Sequence, residues 1–91
     1  MRITVHTIIR SYSENSSPTE TDVLGSFINE KKARNFFETQ KETEKMLNEE
    51  IGWTIYSDED CYYEAGEDGN FNNDFVILYW YQETFNVSDK K

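Results

Sequence analysis

The sequence predicts an α+β fold, an antiparallel sheet of three to five strands with one long helix packed on one face. Three observations carry this. Residues 2–12 alternate between two sets of side chains and are rich in β-branched residues, the period-2 pattern of a strand. Residues 29–48 hold strong helix formers and neither Gly nor Pro. Residues 75–81, Phe-Val-Ile-Leu-Tyr-Trp-Tyr, form an unbroken apolar run of the kind found in a strand covered on both faces.

In chain order, the first strand places Ile3, Val5 and Ile9 on one face and Thr4, His6, Ile8 and Arg10 on the other. A polar connection, 13–21, contains the only proline, and a second short apolar run, 22–28, is expected to pair antiparallel with the first. Asn29 is an N-cap with Glu30 at the first helical position. At about 100° per residue, Ala33, Phe36, Phe37, Leu47 and Ile51 fall in one stripe suited to lie on a sheet. Gln40 and Glu44 interrupt that stripe, so the helix is expected to bend or overhang the sheet there, the other option being that these side chains reach polar backbone. Gly52 ends the helix. Residues 53–56 and 61–64 form a hairpin around Ser57-Asp58-Glu59-Asp60, and 65–73 form a loop.

The final strand, 74–85, points Phe75, Ile77, Tyr79 and Tyr81 one way and Val76, Leu78 and Trp80 the other. One helix covers one face. The other face needs a cover, which is expected from the segment 53–64, from a second copy of the chain, or from a partner.

Ninety-one residues bound the chain to a single domain, 1–91, with an acidic insertion at about 52–73 and a short polar tail at 88–91. Such a domain buries roughly 60 to 65% of the surface its unfolded chain exposes. Two Trp, six Tyr and six Phe supply its core. One cysteine, Cys61, allows no internal disulfide and no C-x-x-C pair, and the start of the chain lacks an apolar signal region. A cytoplasmic protein of a bacterial cell or infected host is expected.

The formal net charge of -9 belongs to one half of the molecule. The first 45 residues balance, whereas from Met46 to Asp89 there is no Lys or Arg among Glu49, Glu50, Asp58, Glu59, Asp60, Glu64, Glu67, Asp68, Asp74, Glu83 and Asp89. A one-signed field repels nucleic acid and anionic membranes and attracts basic surfaces. Along the helix the charges oppose the dipole, with Lys31, Lys32 and Arg34 near its start and Glu49 and Glu50 at its end.

The stretch Leu24-Gly25-Ser26-Phe27-Ile28-Asn29-Glu30-Lys31-Lys32-Ala33 resembles a motif in an uncharacterised family of small bacterial and phage proteins. In that family two strands, the second ending in Gly-x-Phe, lead to a capped helix and a final strand. The likeness covers about residues 2–48 and 74–85 and departs from the pattern at 52–73. It implies the fold, with Gly25, Phe27, Asn29 and Ala33 in structural roles, and carries no catalytic residues. Phage anti-defence proteins, including anti-CRISPR inhibitors, are similar in size and acidity, a likeness of type without a shared motif.

Candidate chemistry is sparse. Counting a calcium loop from Asp68 places Asn70 and Asn72 well but puts Asn73 at position 6 and Tyr79 at position 12, so an EF-hand fails and only an irregular, weak calcium site is left as an alternative, with solvated turns the default. His6 stands alone and reads as a packed or surface histidine. Cys61 lies among acids, a setting that does not favour a thiolate nucleophile. No cofactor and no enzymatic activity are expected. The leading expectation is a binding protein whose acidic segment imitates a phosphate array on a basic protein surface, through Glu49, Glu50, Asp58, Glu59, Asp60, Glu64, Glu67 and Asp68. Aromatic anchors come from Trp53, Tyr62 and Tyr63, with Tyr56 and Phe71 nearby. The alternative is a structural or regulatory module that dimerises through the strand 75–81.

Overall fold

In the computed structural model, whose described residues are 1–13, 18–67 and 74–86, the chain runs β1 (Arg2–Ser13), β2 (Glu20–Phe27), α1 (Glu30–Glu50), β3 (Thr54–Asp58), β4 (Tyr62–Gly66) and β5 (Phe75–Asn86). All five strands join one antiparallel sheet of order β2-β1-β5-β4-β3, and α1 lies on one of its faces. This is the α+β architecture the sequence predicts. The two long strands are the central pair, in register from Arg2 opposite Asn86 to Ser13 opposite Phe75.

Pleating sorts the side chains. Towards the helix, β1 sends His6, Ile8, Arg10 and Tyr12, β4 sends Tyr63 and Ala65, and β5 sends Val76, Leu78 and Trp80. Ile8, Tyr63, Ala65, Val76, Leu78 and Trp80 meet Ala33 and Phe37 of α1 in the core. Phe36 packs its ring on Phe27, with centroids 5.2 Å apart. Asn29 caps the helix by accepting a hydrogen bond from the Lys32 N–H at 2.9 Å. At the other end Ile51 is the C-cap, and Gly52 turns the chain at φ 81°, a left-handed conformation that suits glycine.

The helix stripe differs from the one predicted. The buried line is Ala33, Phe37, Lys41, Glu44 and Asn48, while Leu47 and Ile51 are 51% and 59% exposed. The second half of α1 lies over polar parts of the sheet, and its buried polar side chains are paired. Lys41 Nζ donates to the Glu59 carbonyl at 2.9 Å, Glu44 accepts from Arg10 Nε at 2.7 Å, and Asn48 Nδ2 donates to the Tyr63 hydroxyl at 2.8 Å. Glu44 therefore stays in the stripe because it reaches a side chain, Arg10, and not the backbone expected as the alternative to an overhang. His6 is a packed histidine: it is buried and accepts from the Trp80 indole N–H at 3.0 Å.

The segment 53–64 does not cover the second face of β5. Its strands extend the same sheet, β4 pairing with β5 and β3 with β4. Among the described residues nothing lies over that face.

Candidate interaction surface

The eleven residues singled out in the sequence fall into separate places. Glu49 and Glu50 are exposed on the last turn of α1, which carries no basic residue. Trp53 follows at once, its N–H bonded to the Asn48 carbonyl at 2.9 Å, and its half-buried ring packs on the core. Thr54 pairs with Gly66, so Glu67 comes to this same end of the sheet. Asp68 and Phe71 lie outside the described residues, as do Asn70, Asn72 and Asn73 of the calcium alternative.

Asp58, Glu59 and Asp60 occupy the β3–β4 turn, beside the middle of the helix. Asp58 receives Lys41 at 3.1 Å and Lys45 at 2.9 Å. These hydrogen bonds, Lys45 first, hold its carboxyl below the usual Asp value, and the same contact raises Lys45. Asp58 thus fastens the turn to α1. Glu59 accepts from Ser57 at 3.1 Å, and Asp60 is exposed.

Tyr63, expected as an anchor, is fully buried on the helix side and belongs to the core. Its neighbours Tyr62 and Glu64 project to the opposite face of the sheet, where the Tyr62 hydroxyl donates to Glu64 at 3.0 Å. Burial, and then this carboxylate, push the Tyr62 phenol up. Tyr56 is half exposed at the bulge of β3, its hydroxyl donating to the Glu67 carbonyl at 3.4 Å.

Two surfaces stand out. One is the C-terminal end of α1, where Met46, Leu47 and Ile51 are exposed beside Glu49 and Glu50. A cleft of about 250 Å³ opens next to it, walled by Tyr12, Leu47, Ile51, Trp53 and Val76, with the Arg10–Glu44 pair and Asn48 at its polar side. The other is the open face of the sheet. Register aligns Val23, Ile9, Tyr79 and Tyr62 in a row across four strands. Ile77 and Phe75 continue it on one side and Tyr81, Val5, Ile3 and Phe85 on the other. Val23, Tyr81 and Phe85 are 64%, 48% and 45% exposed.

The doubly apolar final strand is the sequence signal for this face. The sequence also groups Ile3, Val5 and Ile9 on one face of β1, but which face of β5 they join, and the places of Val23 and Tyr62, appear only once the register is known.

Among the described residues no three His, Cys, Asp or Glu side chains come together as metal ligands, and no helix is long and apolar enough to cross a membrane. Cys61 is exposed and unbridged, and its carbonyl accepts the Trp80 N–H at 3.0 Å. Comparison with family models, with curated proteins and with solved structures finds no match. Fold and surface together define a two-layer α+β protein with an acidic helix end and an aromatic sheet face that no described residue covers.

Proposed function

We propose that this protein is a non-enzymatic binding protein that engages a basic protein surface, as a phage or mobile-element inhibitor does when it occupies a nucleic-acid site. The observation that supports this reading is the C-terminal end of α1. Glu49 and Glu50 add their charge to the negative end of the helix dipole, with Glu67 at the same end of the sheet. No base lies within ion-pair distance of Glu49 or Glu50 among the described residues. Met46, Leu47 and Ile51 provide apolar contact between these charges, and Trp53 stands at the edge of the adjoining cleft. Apolar anchors ringed by carboxylates suit a partner that presents Lys and Arg around an apolar patch.

The test is capture from bacterial lysate by wild type and by Glu49→Lys/Glu50→Lys, with duplex DNA as competitor. Asp58 is left intact because it is bound to Lys41 and Lys45. The expected result is a nucleic-acid enzyme retained by wild type, displaced by DNA and by salt, and lost at least tenfold in the variant. Equal capture by the variant, or capture indifferent to DNA, overturns the reading.

A further inference from the structure

We propose that a second copy of this chain covers the open face of the sheet, giving a helix–sheet–sheet–helix homodimer. The face has the size for it. With strands about 4.8 Å apart and a rise of about 3.3 Å per residue, the four strands that carry the apolar rows present roughly 600 Å² in projection. A standard interface takes about 800 Å² of accessible surface from each partner. Two such sheets stack about 10 Å apart at roughly 30°.

The chemistry of the face selects its own twin over a charged partner. Its middle is Val23, Ile9, Tyr79 and Tyr62, flanked by Ile77, Tyr81 and Val5. The small polar groups between them are already paired within the sheet. Thr7 meets Ser26 at 3.5 Å, Ser11 meets Thr21 at 3.0 Å, and Tyr62 meets Glu64. Hydroxyls paired in this way are withdrawn from water at lower cost than free ones. Glu64 and Glu83 are the carboxylates the strands place on this face, two pleated rows or more apart. Glu49, Glu50, Asp58, Glu59 and Asp60 lie at the helix or at the hairpin turn, so stacking the faces keeps them outside the contact.

Among the described residues, an unpaired edge along the end of β5 offers a second way for two copies to meet. Trp80 donates towards β4, so the N–H and C=O groups of Gln82, Thr84 and Asn86 point to the same side, beyond the end of β4. Pairing over this short stretch covers far less area than the face and leaves the face exposed.

The inference goes beyond the binding reading and is tested on purified protein alone. Sedimentation equilibrium is expected to give a mass twice the 10.8 kDa of the chain. Tyr81→Glu and Val23→Glu, both at exposed positions, are each expected to weaken dimerisation about thirtyfold or more with unchanged circular dichroism. Thr84→Pro, which removes an N–H from this edge together with the Thr84–Thr4 hydroxyl contact on the helix side of the sheet, is expected to remain dimeric. A wild-type monomer at 1 mM overturns the proposal, as does a dimer lost in Thr84→Pro but kept in Tyr81→Glu. A dimer that captures no basic partner leaves this inference standing and removes the binding reading, and a monomer that captures one does the reverse.

Discussion

Asp58 shows how a residue that looks like surface charge in the sequence serves the fold. It joins the β3–β4 turn to Lys41 and Lys45, and Lys41 is held further by the Glu59 carbonyl. Asp58→Asn keeps the shape and removes the charge, and is expected to cost about 1 kcal/mol at pH 7. The pH dependence follows from the lowered carboxyl of Asp58. Its contribution is complete above the unfolded Asp value of about 3.9 and is lost as pH falls through the lower folded value. Urea midpoints of wild type and Asp58→Asn are therefore expected to differ at pH 7 and to converge below pH 4. A constant gap across that range contradicts the assignment. A run of acids such as 58–60 does not reveal which member meets a base, because the lysines concerned are 13 and 17 positions away on another element.

For the elements, the hairpin β3–β4 depends on a close approach at Gly66. A Cβ there would lie 2.8 Å from the Asp74 carbonyl oxygen and 3.2 Å from Phe75 Cβ. The obstruction is backbone, so Gly66→Ala must shift the β4–β5 pairing and is expected to lower stability by roughly 1 to 3 kcal/mol, measured as a change in urea midpoint. The sequence reads Gly66 as a loop residue, since glycine beside Asp and Asn signals a turn as readily as a tight strand pairing. Helix α1 was legible at both ends, through Asn29 and Gly52. Its buried face was legible at Ala33, Phe36 and Phe37, and at Glu44 as a polar member of the stripe. Beyond them apolar spacing selects Leu47 and Ile51, whereas the buried positions are Lys41, Glu44 and Asn48. Hydrophobic periodicity finds apolar contacts and is blind to a polar seam in which Arg10, Asp58 and Tyr63 supply the partners.

The whole molecule joins two surfaces of opposite character, and salt separates them. Two copies with a net charge of -9 each repel at long range. Raising ionic strength from 0.1 to 1 M shortens the screening length from about 10 Å to about 3 Å. Dimerisation through the apolar face is therefore expected to tighten over this range, while capture of a basic partner at the α1 end weakens. Sedimentation at the two salt concentrations checks the first. A dimer loosened by salt would point to ion pairs in place of the face. The sequence showed that β5 has two apolar faces and needs two covers. The open surface spans four strands, and its rows depend on pairings between residues as distant as Val5 and Glu83, which composition does not contain.

The strand order β2-β1-β5-β4-β3 has a consequence for synthesis. The ribosome makes β5 after the other described elements, and among the described strands it is β5 that pairs with both β1 and β4. Until it emerges, the nascent chain holds two hairpins and a helix with no common sheet to join. Ile8, Phe37 and Tyr63 have no Leu78 or Trp80 to close over them. The native core therefore cannot close until the most apolar segment of the chain has been made.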